Sequence, residues 1–296
     1  MKPAFTLPSF AKINWSLRIL GKRPDTFHEL VTVFQTVSLH DTIHFADAEK
    51  LELRCDDDRI PVDERNLIIR AAIGLQKAAG VKKEALLFLE KRIPSPGGLG
   101  GGSSNAATAL IGLARLWQLD FEASDLHTIA TGLGSDVSFF LTGGTALGTG
   151  RGETIEPMDD IDEKWMLIVT PTINVSTREA FEGLNHATLT NDELNRILTV
   201  CRTGADLLDP CHPVLINDFE ASVFHAYPEI GRLKQALLDL GAVNAALSGS
   251  GASVFAIFDN EETRQTAMKA LDHESTWRKF AVATISRDMY RESLSI

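Results

Sequence analysis

The sequence predicts an α+β fold in two halves, and three observations lead there. The 296 residues suffice for roughly two domains of ~100–200 residues, each large enough for its own core. Strand-like and helix-like segments come in runs of both kinds, without the strict alternation that builds a doubly wound sheet. Near the middle the chain turns acidic and loop-like at EPMDDIDEK before a new apolar run, WMLIVTP, begins. The division therefore falls between residues 1–160 and residues 161–296.

Taken in order, AKINWSLRIL, HELVTVFQTVSL and TIHFAD read as strands, being rich in β-branched and apolar residues. NLIIRAAIGLQKAA has the apolar spacing of a helix, and ALLFLEKRI returns to a strand. A glycine-rich stretch follows, and after it NAATALIGLARLW places Leu110, Leu113 and Trp117 at helical spacing. In the second half NDELNRILTVC, FEASVFHAY and EIGRLKQALLDL read as helices, AALSG and SVFAIF as strands, and EETRQTAMKALDH as a helix. No internal repeat or low-complexity tail is visible.

Composition excludes several function classes. Forty acidic against 29 basic residues give a net charge of -11, which argues against a broad nucleic-acid or membrane surface, because phosphate backbones bind through Lys and Arg. Cys55, Cys201 and Cys211 are an odd count, read as reduced thiols of a cytoplasmic protein rather than a disulfide framework. Cys211-His212 lacks the spacing of a zinc site. The start, MKPAFTLPSFAKINWSL, has no unbroken apolar core. The uncharged stretches 93–114 and 241–258 are too full of Gly, Ser and Asn to span a bilayer.

The stretch from Pro94 to Ala107, PSPGGLGGGSSNAA, has glycine at five of the six positions 97–102. Gly/Ser runs often serve as linkers. This one sits between a strand and a helix inside a domain, where a bare backbone can approach an anion and the helix start offers free N–H groups with positive dipole character. No Lys follows the glycines and no window fits G-x-G-x-x-G, so neither the Walker loop nor the dinucleotide fingerprint is present.

Pro94, Ser95, Pro96, Gly97, Gly98, Leu99, Gly100, Gly101, Gly102, Ser103 and Ser104 instead form a pattern that resembles the ATP loop of the GHMP kinases, named for galactokinase, homoserine, mevalonate and phosphomevalonate kinases. Flanking motifs support the resemblance nearly end to end: PSFAKINWSLRILGKRPDTFHEL, ERNLIIRAA, GLGSDVSFFLTGGTALGTGRGE, INVSTREAF, NDFE and LSGSGASVF. They are similar to the branch of that family that serves the non-mevalonate isoprenoid route.

The resemblance implies an N-terminal half like ribosomal protein S5, a ferredoxin-like C-terminal half, and a cleft between them for ATP and acceptor. The implied acceptor is a small molecule carrying a cytidine diphosphate group, phosphorylated on a tertiary alcohol. Lys12 and Asp136 match the catalytic pair; alone, each could be a snorkelling lysine or a turn-capping aspartate. Asn66 and Lys91 match positions near adenine, or are solvated surface residues. Asn14, Phe27, His28, Thr177 and Phe181 match acceptor contacts, with cytosine between two aromatic faces; Phe27 stands where the family usually has tyrosine. Ser248, Gly249, Ser250 and Gly251 form a second glycine turn near Asp136, or an ordinary hairpin turn. Magnesium is expected on the ATP phosphates, held by their oxygens, waters and Ser104, with no acidic metal-ligand cluster in the sequence. Another GHMP small-molecule kinase and a non-catalytic ligand sensor on the same fold are the alternatives. The sequence is silent on oligomeric state.

Overall fold

The computed structural model describes residues 3–23, 25, 27–182 and 215–296. The helix expected at NDELNRILTVC, together with Cys201, Cys211 and His212, lies outside the described residues. The fold is α+β, built on two sheets.

Two long strands organise the first sheet. β1 (Phe5–Lys22) and β2 (His28–Asp47) pair antiparallel along their whole length. The sequence suggests two strands with a break near His40-Asp41; the chain runs through as one. At that point the register slips, Phe10 pairing with His40 and Ala11 with Val37, so the polar pair marks a bulge that bends the strand instead of ending it. The other edge of β2 is shared. Its last third pairs with β4 (Ala85–Glu90), which continues to β3 (Glu52–Cys55), and its first third pairs with β5 (Thr145–Gly150), which continues to β6 (Thr154–Pro157). β5, β6 and β3 were not anticipated from the sequence.

Helices α1 (Leu67–Ala79), α2 (Gly101–Leu116) and α3 (Ala123–Leu133) cover this sheet, burying Ile68, Leu75, Leu110, Leu113 and Ala130 against Phe45, Leu87 and Leu89. Asn66 starts α1 by accepting the Ile68 N–H, and Gly80 ends it in the left-handed region at φ 65, the usual chemistry of both termini. A 3₁₀ turn (Ser135–Val137) and the short α4 (Phe139–Thr142) follow α3.

The second sheet is antiparallel, in the order β11-β7-β10-β9, with β7 (Trp165–Pro171), β9 (Asn244–Leu247), β10 (Val254–Phe258) and β11 (Trp277–Ala283). Helices α5 (Thr177–Glu182), α6 (Glu220–Ala226) and α7 (Pro228–Asp239) come between β7 and β9, and α8 (Glu261–Ala270) between β10 and β11. This is the β-α-β-β-α-β order of a ferredoxin-like half.

The halves meet through a packed apolar layer. Ile13 and Trp15 of β1 and Val31 and Val33 of β2 lie against Met166, Ile168, Phe255 and Ile257. Trp15 meets the Phe255 ring edge-on at 5.9 Å. The chain is also interlaced. β8 (Ile216–Asn217) adds to β1 in parallel, and α9 (Arg287–Leu294) returns to the first core, where Tyr290 donates its hydroxyl to the Phe140 carbonyl.

Candidate active site

Strand alternation points Lys12 and Asn14 to the face of β1 opposite Ile13 and Trp15. A second register slip between Asn14 and Ser16 changes the parity, so that Leu17 joins them in one cleft instead of falling on the other face. Leu30, Thr32 and Phe34 enter it from β2. The cleft holds about 300 Å³ and is closed by the start of α2, the Asp136 turn, the Arg151-Gly152 turn between β5 and β6, and Thr177, Phe181, Phe219, Gly249 and Ser250 of the second half.

The Lys12 ammonium is 3.5 Å from Asp136 Oδ2 and donates to Asn14 Oδ1 at 2.7 Å. Its side chain is 4% exposed, that of Asp136 29%. Burial lowers the lysine's pKa from its ordinary value, opposed by the charge and hydrogen bond of Asp136. Asn14 is fixed on every side: Oδ1 also accepts the Gly249 N–H at 3.0 Å, and Nδ2 donates to Thr32 Oγ1, which donates on to the Ser16 carbonyl. One amide thus ties the lysine of the first half to the glycine turn of the second.

That turn is pressed against the glycine loop. Gly98 (φ 71) and Gly100 (φ 69) occupy the left-handed region that favours glycine. Ser248 Oγ donates to the Gly98 carbonyl at 3.0 Å. A Cβ on Gly100 would meet the Phe140 ring at 2.8 Å and Lys12 Cγ at 3.0 Å, so the loop must be bare for Lys12 to lie alongside. Gly100 then caps α2, and the Ser104 N–H donates back to its carbonyl. The N–H groups of Gly101, Gly102 and Ser103 precede that first helical bond, as at any helix start, and Ser103 lines the cleft with Lys12 and Asp136.

Several residues singled out in the sequence have partners that the sequence did not show. Lys91 is not a solvated surface residue: it is 2.7 Å from Asp41 Oδ2 with both side chains buried, it donates to the Ile93 carbonyl, and its ammonium is 3.2 Å from the Cβ position of Gly101 in the glycine loop. Asp41 further accepts from the Arg92 and Ile93 N–H groups and from Asn105, so this cluster braces the loop from beneath. The Asn66 side chain is occupied in capping α1 and in donating to the Pro61 carbonyl. Ser104 is fully buried and its hydroxyl accepts from Ser9 inside the core, because it sits a helical step round from Ser103. Pro94, Ser95 and Pro96 border a separate hollow of about 210 Å³, with Arg59, Arg278 and residues 170–174.

The aromatic site is assembled differently from a simple pair of phenylalanines. Phe181 stacks on His28, with centroids 4.9 Å apart at 22°, and meets Phe219 edge-on. Phe27 is half exposed, and its ring carries the Arg151 guanidinium at 4.7 Å. Thr177 and Ser250 join hydroxyls at 3.0 Å. Sequence reasoning missed Arg151, Thr32, Phe219 and Asn217. Asn217 donates to the Leu247 and Gly249 carbonyls, holding the SGSG turn; the NDFE motif was its visible signal. Among the described residues no group of three or more His, Cys, Asp or Glu could hold a metal ion, and no helix is long and apolar enough to cross a membrane.

Residues 66–144 match the family described as GHMP kinases N terminal domain, and residues 205–275 that described as GHMP kinases C terminal. Fold and cleft are thus those of the GHMP kinase class. Similarity extends to individual members. A 4-diphosphocytidyl-2-C-methyl-D-erythritol kinase from Thermodesulfovibrio yellowstonii is 38% identical over 89% of this chain and 93% of its own length, and one from Chlorobium chlorochromatii 41% identical over 89% and 91%. A crystal structure of 4-(cytidine 5'-diphospho)-2C-methyl-D-erythritol kinase superposes with a TM-score of 0.77 at 28% identity, covering 95% of this chain and 99% of that one. Homoserine kinase from Cytophaga hutchinsonii, at 19% identity and a TM-score of 0.69 over 97% and 96%, shares the fold. The chain belongs to the 4-diphosphocytidyl-2-C-methyl-D-erythritol kinase family.

Proposed function

We propose that the chain transfers the γ-phosphoryl of ATP to the 2-hydroxyl of 4-diphosphocytidyl-2-C-methyl-D-erythritol, in the cytoplasm, as a step of the non-mevalonate route to isoprenoid precursors. The observation that carries this is the Lys12–Asp136 pair, 3.5 Å apart, in the same cleft as the start of α2. The triphosphate would lie along Gly97 to Ser103, its charge met by the helix N-terminus. The acceptor would enter beside Asn14, Thr177 and the SGSG turn, its cytosine among Phe27, His28 and Phe181.

A tertiary alcohol is hindered and un-ionised at neutral pH, so a carboxylate that takes its proton as the new bond forms is useful. Asp136 is the candidate. Lys12 steadies that carboxylate and the charge on the moving phosphoryl group, and Asn14 aims Lys12. Phosphoryl transfer passes through a loose transition state, so positioning and electrostatics outweigh the base. Magnesium, when bound with ATP, neutralises phosphate charge. With no carboxylate cluster among the described residues and Ser104 turned into the core, the phosphate oxygens, waters and the Ser103 hydroxyl are the donors that fit it.

The test is incubation of the chain with ATP, magnesium and a panel of acceptors. ADP and a phosphorylated product from the cytidine-bearing acceptor alone support the assignment. Turnover of homoserine or mevalonate instead overturns the substrate, and ATP binding without any turnover overturns the enzyme.

A further inference from the structure

The NDFE motif, Asn217 to Glu220, has no role in the chemistry above, yet its residues grip both halves of the protein. Asn217 is 6% exposed and is not among the residues that line the cleft. Its Nδ2 donates to the carbonyls of Leu247 and Gly249, each at 2.8 Å, and its Oδ1 accepts the Phe219 N–H at 3.0 Å. Buried backbone carbonyls need partners, and Gly249, at a φ of 55, lies in the turn between β9 and β10, outside their ladder. Asn217 supplies what the ladder does not. The flanking carboxylates hold Asn217 itself in place. Asp218 accepts the Ile19 N–H of β1 at 2.7 Å, and its own N–H donates to the Leu17 carbonyl. Glu220 accepts the Leu247 N–H at 2.9 Å and pairs with Lys234 of α7 at 2.7 Å.

We infer that Asn217 is a positioning residue for Lys12, acting through the Gly249 peptide and Asn14. This deepens the function proposed above and rests on it. A lysine is a point charge on a flexible stem, so its aim is set by what its ammonium is bound to, here Asp136 and Asn14. The Asn14 oxygen that takes the ammonium also takes the Gly249 N–H, while the Gly249 carbonyl is held by Asn217. Gly249 is therefore pinned from both sides. Its Cβ position is 3.3 Å from Lys12 Nζ and 3.0 Å from the Gly98 carbonyl, so a shift of this one residue is felt by the ammonium and by the glycine loop together. An amide suits the post because it offers two donors and an acceptor on one planar group, whereas an ionised carboxylate offers acceptors alone. The motif works as a bracket: Asp218 fastens it to β1, Glu220 fastens it to β9, and Asn217 passes their spacing on to Lys12. Where rate depends on placement, a small misalignment set far from the reacting atoms is costly.

Steady-state kinetics at saturating ATP and acceptor on the parent chain, Asn217→Ala, Asn14→Ala and the double variant test this. Asn217→Ala should lower kcat roughly 10- to 100-fold, the scale of a misplaced reacting group. In the Asn14→Ala background the same change should cost less than about threefold, because the link it acts through is already gone. Urea denaturation of each protein separates this from lost structure: a purely structural role lowers the midpoint in both backgrounds and leaves kcat of the folded protein alone. Where Asn217→Ala does not fold, Asn217→Ser, which keeps one donor, takes its place in the same cycle. The NMR resonance of the Lys12 ammonium, assigned by its loss in Lys12→Arg, reads the placement without turnover; it should be present in the parent and lost to solvent exchange in Asn217→Ala. Equal kcat costs in the two backgrounds, or an ammonium resonance absent from the parent or unchanged in Asn217→Ala, overturn the positioning role and leave the function standing. A parent chain that phosphorylates no acceptor overturns the function instead, and the ammonium resonance then decides the positioning role by itself.

Discussion

The Cβ that Gly98 lacks would fall 2.0 Å from the carbonyl oxygen of Ser248. Backbone therefore touches backbone where the glycine-rich loop of one half meets the glycine turn of the other, at a φ of 71 that a side chain would strain. Gly98→Ala should push the two apart and raise KM for ATP at least about tenfold, in line with the cost of an incompatible glycine replacement. Gly132→Ala, in α3 and away from the cleft, is the control: nothing lies within 4 Å of its Cβ position, alanine suits a helix, and kinetics should stay within about threefold. Equal behaviour of the two variants would remove the loop–turn contact from the explanation.

Asp136→Asn keeps the side chain's size and removes the proton acceptor. We expect kcat to fall by roughly 10²–10⁴, with little change in either KM. A variant within about threefold of the parent would show that the carboxylate takes no part in the transfer.

The buried Lys12 ammonium should give the enzyme an alkaline limit. Because burial lowers its pKa, the required cation is lost as pH rises at a lower pH than for a free lysine. The kcat/KM profile for ATP, which reports the free enzyme, should decline on its alkaline side accordingly. Saturating triphosphate favours the cation, so the decline in kcat should move to higher pH. Lys12→Arg cannot deprotonate in this range; if its residual activity shows the same alkaline decline, another group is responsible.

Asp41→Asn should be a stability variant with a kinetic echo. It would leave the Lys91 ammonium buried without its counter-ion, which typically costs about 3–5 kcal/mol. Urea denaturation should show the loss as a lower midpoint, and KM for ATP should rise because Lys91 and Asn105, which donate to the oxygen that asparagine replaces with an amide, lose their acceptor. A midpoint equal to the parent's would mean that the cluster does not support the loop.

The sequence made legible what depends on neighbours along the chain. Lys12 and Asn14 stand two apart on a strand, and the glycines adjoin a helix that names itself by period. What it hid depends on distant partners. Lys91 could be read either as a lysine near adenine or as a surface lysine because its partner Asp41 is 50 residues away. β5 was missed because TALGTG has the glycines of a loop and is held as a strand only by pairing with β2. The His40-Asp41 pair looked like a break because an aspartate in a strand usually faces water, and here it is fully buried beneath the loop. Phe27 was assigned to cytosine from its motif; the guanidinium on its ring came from a turn more than a hundred residues later.

The return of α9 to the first core has a consequence for how the protein comes into being. Ile285, Tyr290 and Leu294 fill the same apolar cluster as Phe10 and Phe140, and Arg115, near the end of α2, donates to the Leu294 and Ser295 carbonyls. Synthesis runs from the N-terminus, and domains made early usually fold early. Here the half that carries the glycine-rich loop is made first and finished last. While a ribosome is still translating the second half, the Phe140 carbonyl and the floor under α2 wait open, exposed to chaperones and proteases. A nascent chain therefore cannot complete the core beneath α2 before residue 294 has emerged.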